Sequence, residues 1–379
     1  MYLPFIMLRL WGWTGFLAFL VPNVLGCAAF GFVLDRDRSR ALAARLGWTC
    51  ALFSAITVAY QCWFAGWAAQ CFAVTDPAMR TVAATGVPIA LLVAGLALAT
   101  RGDAQWRALG TALTLASPLV LLLPGGAAVG DAASAAASAA GDSPTAAAPA
   151  PLLGPMPLAF ALPTIVAGFL ASPAFDLTFH RAVQQAPQPR VAFATFGIAF
   201  AAMLAMIATF FDPAAGAPRI GPAILVLWGA QLLFTIAVHL RELLEAPPAV
   251  RIPGRPVALL IAGAVLLATP AFTFTLGPAL PEGHAPLHGG ATTALLAGEP
   301  LYMTFLGAYG LLFPVLLLLD ARGATRATTL GVLAIGVPCY LLGAVDFRTM
   351  LMPVPIVAAL LISRALRRQS RTPALVHPA

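Results

Sequence analysis

Asp176 and His180 stand four residues apart in the segment AGFLASPAFDLTFHR. On a helix that spacing puts a carboxylate and an imidazole on one face, where a proton could pass between them. Pro173 follows Ser172 just before them, and an earlier segment, GFLAFLVPNVLGCAAFGFVLD, carries Pro22 and Asn23 inside an apolar run with Gly26 a turn later. Proline denies a backbone hydrogen bond and clashes with the preceding turn, and glycine weakens a helix further. Both stretches therefore read as interrupted helices, with local unwinding expected near Pro22 and Ser172, whose freed backbone groups and polar side chains would hold an ion or solute. Gln61, in TVAYQCWFAGW, and Gln231, eight residues before His239 in WGAQLLFTIAVHLRELLE, add polar groups to other apolar segments. The candidate substrate- or ion-binding set is Asn23, Gln61, Ser172, Asp176, His180 and Gln231.

Other chemistries find less support. His284 and His288, with Glu282 nearby, have a helical metal-ligand spacing, but Pro286 between them argues against the helix. His180 and His239 alone, without C-x-x-C-H, make a poor haem site. No H-E-x-x-H, glycine-rich phosphate loop or G-x-S-x-G is present. The five cysteines (Cys27, Cys50, Cys62, Cys71 and Cys339) are odd in number and sit in or beside apolar runs, as small buried hydrophobes do. The expectation is no metal, no cofactor and no catalytic residue, hence not an enzyme.

The elements that must position these groups are membrane helices. Of the 379 residues 60% are hydrophobic and only 9% charged, with a mean hydropathy of +0.90, whereas roughly a quarter of a soluble domain is charged. A helix needs about 20 mostly apolar residues to cross a hydrocarbon core of about 30 Å. That length test marks eleven spans, at 10–33, 47–73, 83–99, 108–124, 158–179, 191–211, 220–240, 256–278, 300–319, 328–344 and 350–366. The fold class is an all-α polytopic helical bundle forming a single transmembrane domain over residues 1–379, with internal repeats and interrupted helices in prospect.

The arginines test the count independently, because cytoplasmic loops hold the excess of basic residues. All 21 basic residues are arginine, and 17 fall after odd-numbered spans or in the tail, against four (Arg9, Arg80, Arg219 and Arg348) on the other side. A missed or invented span would invert the pattern downstream, and it does not invert. The N-terminus is thus expected outside and the C-terminal tail, 367–379, in the cytoplasm of a bacterial-type inner membrane. Two long loops fall outside: 125–157, an Ala/Pro-rich low-complexity linker, and 279–299, which has no arginine. The net charge of +7 serves orientation rather than nucleic-acid binding, since no basic cluster alternates with exposed aromatics. Val24-Leu25-Gly26-Cys27 after Arg9 has a lipoprotein-signal pattern, but apolar sequence continues through Leu34, so an uncleaved span is expected.

Eleven spans, an external N-terminus and P-N-x-x-G in an early span, followed by a later proline-interrupted one, resemble the sodium:solute symporters and related LeuT-type transporters. The resemblance implies ten core helices in two inverted five-helix repeats with one extra helix in front. That arrangement would break the second and seventh spans, whereas the breaks here fall in the first and fifth, which share GFLA before a proline (Gly15–Ala18 and Gly168–Ala171) and one orientation, as in a parallel repeat. No ion ligand is carried over. The functional expectation is a secondary transporter of a small solute driven by protons or Na⁺, with the lipid bilayer as its surroundings. The alternatives are a non-transporting subunit or scaffold of a larger complex and a membrane-embedded enzyme acting on a lipid-linked substrate.

Overall fold

A computed structural model describes residues 2–73, 76–120, 151–212, 217–218, 220–246, 251–273, 298–320 and 323–369. Most of both long loops and the end of the tail, with Glu282, His284 and His288, lie outside the described residues. In chain order the helices are α1 (Leu3–Val33), α2 (Arg36–Arg45), α3 (Gly47–Ala68, continued by a π-helical turn over Ala69–Ala73), α4 (Pro77–Ala99) and α5 (Asp103–Val120). After the first long loop come α6 (Pro155–Ala171), a 3₁₀ turn at Ser172–Ala174, α7 (Leu177–Gln185), α8 (Pro189–Ala208) and α9 (Pro222–Glu245). Next are α10 (Gly254–Leu267), the one-turn α11 (Pro270–Thr273), and α12 (Glu299–Gly307), which runs through a π-helical turn into α13 (Phe313–Asp320). α14 (Arg326–Ala344) and α15 (Val354–Gln369) complete the bundle. Among the described residues the only extended pairing is Phe211–Asp212 against Ala217–Pro218, antiparallel, between α8 and α9.

Nine helices among the described residues are long and apolar enough to cross a membrane. Two expected spans, 108–124 and 256–278, fall on α5 and on α10 with α11; the described helix ends at Val120 in the first and at Thr273 in the second. The chain is a multi-pass helical membrane protein. Its outward faces carry large apolar side chains, among them Leu25, Ile198, Leu259 and Leu330, each more than half exposed, as suits a lipid solvent.

α3 is the hub. In its most apolar stretch 78% of residues are buried, against 28–44% in the other candidate spans, and it packs on α4, α9 and α10. Lipid receives an apolar face as readily as protein does, so polar content favours burial here: Thr49, Ser54 and Thr57 lie buried on α3, the least apolar of the nine candidate spans. α1 packs on α6 and α8 through a stripe of Gly15, Phe16, Phe19, Pro22, Asn23, Gly26, Phe30 and Gly31 at three- and four-residue steps. α1 and α6 run side by side in the same direction, and the short helices after them, α2 and α7, also pack together.

α1 departs from expectation in two ways. Its helix begins at Leu3 rather than near residue 10, and it continues through Pro22 to Val33 without unwinding. The break lies at Gly12, whose φ of 61° is open to glycine and strained for other residues. The carbonyls of Arg9 and Leu10, freed by that break, accept hydrogen bonds from the backbone N–H groups of Leu152 (3.3 Å) and Leu153 (2.7 Å). Pro22 removes one amide donor, a defect that membrane helices absorb where neighbours pack closely; no such support exists for an L-residue at the Gly12 geometry.

The α1–α6 contact depends on Gly26: a Cβ there would come within 2.3 Å of the Phe169 carbonyl oxygen. Gly26→Ala is expected to push the helices apart and cost about 1–3 kcal/mol, read as a lowered thermal midpoint in detergent. Gly263→Ala, which meets nothing within 4 Å, is the control expected to hold or raise the midpoint. Equal midpoints for the two variants would contradict the close approach.

Candidate functional site

The break after α6 is where chemistry becomes available. The Ser172 hydroxyl donates back to the Gly168 carbonyl (2.7 Å), and Pro173 cannot donate a ladder hydrogen bond, so the chain tightens to a 3₁₀ turn and restarts as α7. Asp176 is the N-cap of α7: one carboxylate oxygen accepts from the Thr178 backbone N–H (2.8 Å) and the Thr178 hydroxyl (2.6 Å). The other, Oδ2, lies 3.9 Å from Nε2 of His239 on α9, within ion-pair range but beyond a direct hydrogen bond. His239 is buried and its Nδ1 lies 3.2 Å from the Ser54 hydroxyl of α3.

Asp176 and His239 form one end of a cavity of about 240 Å³ between α5, α7, α8 and α9. Its polar lining adds Thr114, Ser117, Gln231 and Thr235. Its apolar walls include Phe179, Phe196, Phe200 and Phe234. The Gln231 amide donates to the Ser117 hydroxyl (3.0 Å) and touches the Met203 sulfur (2.8 Å), while Ser117 donates to the Leu113 carbonyl (2.6 Å).

At the arginine-bearing end, a lattice of ion pairs binds the same helices together. Arg181 of α7 pairs with Glu242 (2.5 Å) and Glu245 (2.7 Å) of α9. Arg241 of α9 pairs with Glu245 (2.8 Å) and with Asp103 of α5 (2.5 Å). The hydrogen bond from Arg241 holds the Asp103 carboxyl below its ordinary range.

The candidate residues separate into those at this cavity and those away from it. Asp176 and Gln231 line it together. His180 does not face Asp176: because Asp176 starts a new helix, the imidazole turns back to the break instead. Its Nε2 donates to the Ala174 carbonyl (3.0 Å) and its Nδ1 shares a hydrogen bond with the Ser39 hydroxyl of α2 (2.9 Å), which also reaches the His180 carbonyl (3.4 Å). Burial pushes the imidazole below its ordinary range. Gln184 adds a bond to Ser39 (3.1 Å), so His180 and Ser39 join α7 to α2. Ser172 is committed to its own helix, Asn23 lies buried in the α1 stripe, and Gln61 is half-buried on α3. His239 was legible as a polar residue on the Gln231 face of its helix, yet its pairing with Asp176 needs the α6–α7 break.

A second polar centre lies at the opposite end. Residues 2–11, ahead of the Gly12 break, are buried, and Arg9 forms an ion pair with the fully buried Glu299 at the start of α12. The Tyr2 hydroxyl donates to the other Glu299 oxygen (2.8 Å). The Tyr2 ring sits among Trp67, Phe72, Trp228 and Tyr302, with centroids 4.8–6.3 Å away. In the sequence Arg9 reads as an outside charge and Glu299 as the edge of a loop; only the folding-in of residues 2–11 brings them together. Among the described residues no three His, Cys, Asp or Glu side chains converge as a metal site.

Comparison with protein-family models, curated proteins and solved structures finds no match. The site therefore stands on its own geometry.

Removing one partner of a buried ion pair strands the other, at about 3–5 kcal/mol, whereas replacing both by apolar residues costs far less. Arg9→Met is expected to lower the thermal midpoint more than Arg9→Met combined with Glu299→Met. A double variant as unstable as the summed single variants would show that the two charges do not act as a pair.

Proposed function

We propose that this multi-pass membrane protein is a secondary transporter that carries a small solute through the cavity at Asp176, His239 and Gln231, coupled to protons. The observation that carries the reading is a carboxylate at a helix break, within a bundle of membrane helices, beside an imidazole at one end of a cavity of about 240 Å³. An ionisable group among membrane helices is costly and is kept where it binds or relays a charge. Broken helices supply such sites in transporters because their ends present polar groups that an intact helix hides.

In this reading Asp176 is the group that gains and loses the proton. Oδ1 stays committed to the cap of α7 and Oδ2 faces His239 and the cavity, so protonation changes the charge offered to the solute without dismantling the helix start. The lattice of Arg181, Arg241, Glu242, Glu245 and Asp103 is the closure on the arginine-bearing side, and opening to that side would part α7 and α5 from α9. The proposal includes eleven spans, with α5 and α10 completing the nine, an external N-terminus and a cytoplasmic C-terminus in a bacterial-type inner membrane, as the arginine alternation indicates. The transporter class rests here on the cavity, not on a repeat relationship.

Proteoliposomes holding a pH-sensitive dye, challenged with a panel of small amines, amides, polyols and carboxylates, are expected to show solute-dependent proton movement for at least one class. Asp176→Asn is expected to slow it tenfold or more while Gly263→Ala leaves it unchanged. Proton movement surviving intact in Asp176→Asn would remove Asp176 from the role, and none with any solute would count against transport.

A further inference from the structure

We infer that the ligand of this cavity is a small protonated amine, bound through its N–H groups with Asp176 as counter-ion. The inference rests on reading the cavity as a solute site and adds to it the chemical class of the solute.

The first argument is hydrogen-bond accounting. The polar hydrogens of three lining residues are already spent inside the protein: the Gln231 amide on Ser117 and Met203, the Ser117 hydroxyl on Leu113, and the Thr178 hydroxyl on Asp176. What these residues and Asp176 have left to offer are acceptors, chiefly Asp176 Oδ2 and the Gln231 carbonyl. The Thr114 and Thr235 hydroxyls that also line the cavity both donate and accept, so the anionic Asp176 Oδ2 decides the preference, for a ligand that brings N–H donors and against a carboxylate or phosphate.

Charge gives a second, independent argument. The cavity carboxylate and the adjoining lattice hold Asp176, Asp103, Glu242 and Glu245 against Arg181 and Arg241, four carboxylates to two guanidinium groups. Adding Arg107, whose charge also acts on Asp103, leaves four to three. Of these carboxylates Asp176 is the one that lines the cavity itself. Among the described residues no arginine lines the cavity, and the only other ionisable lining group is the His239 imidazole.

The walls and the volume narrow the class further. Phe179, Phe196, Phe200 and Phe234 offer aromatic surface both to an alkyl group and, through their ring faces, to an ammonium. About 240 Å³ accommodates an amine with a short branched chain.

Binding to purified protein in detergent, followed by calorimetry with no ion gradient, separates this inference from the transport reading. The probes are isobutylammonium, isobutanol, isobutyrate and tetramethylammonium, which vary charge and donors at similar size. Isobutylammonium is expected to bind saturably at least tenfold more tightly than each of the other three, and Asp176→Asn is expected to abolish that preference. Isobutyrate or isobutanol binding as well as isobutylammonium overturns the inference on wild-type protein alone, whatever the stability of the variant. Tetramethylammonium binding equally well overturns the requirement for N–H donors. Preferential amine binding without proton-linked movement in vesicles would leave the ligand class standing and the transport reading fallen. Movement of an anionic or neutral solute without amine binding would do the reverse.

Discussion

Where a helix ends among membrane spans, its last carbonyls and the first amides of the next helix need partners that lipid cannot provide. Between α6 and α7 the chain supplies them locally. Ser172 returns a hydrogen bond to Gly168, the Phe175 amide bonds the Ser172 carbonyl, His180 serves the Ala174 carbonyl, and Asp176 takes the Thr178 amide. This self-contained joint orients the Asp176 carboxylate. With Oδ1 occupied by Thr178, Oδ2 is directed at His239 and the cavity, and the rest of the functional geometry follows from that direction.

α9 connects the two polar centres. Near its start Trp228 packs edge-on against Tyr2, whose hydroxyl bonds Glu299, and farther along come Gln231, His239 and then the glutamates of the ion-pair lattice. α3, the most buried helix, spans the same distance, with Trp67 beside Tyr2 at one end and Ser54 beside His239 at the other. A shift of α9 along α3 would thus be felt at both centres, which is the mechanical property an alternating-access cycle requires.

Hydropathy length was enough to recognise a multi-pass helical bundle, because that signal comes from the surrounding lipid and not from tertiary contacts. Individual breaks were harder. Ser172-Pro173 interrupts its helix as its residues suggest, whereas Pro22 does not, and the true break in α1 is at Gly12. Proline flags a missing donor, but the surrounding packing decides whether the helix tolerates it, and that packing is tertiary. The Asp176–His180 spacing assumed one continuous helix; once Asp176 became a cap, four residues no longer meant one face. Arg9 and Glu299 are 290 residues apart, and no local pattern announces a pair at that separation.

The central claim is that the Asp176 carboxylate exchanges a proton for the charge of a bound solute. Infrared difference spectroscopy on protein in bilayers, carrying ¹³C-labelled aspartate and compared with Asp176→Asn to assign the band, observes that carboxyl directly. With the pH lowered until the Asp176 band is that of the protonated carboxyl, adding isobutylammonium is predicted to convert it to the ionised form. An Asp176 band that stays the same with and without the amine across the titration would contradict the account.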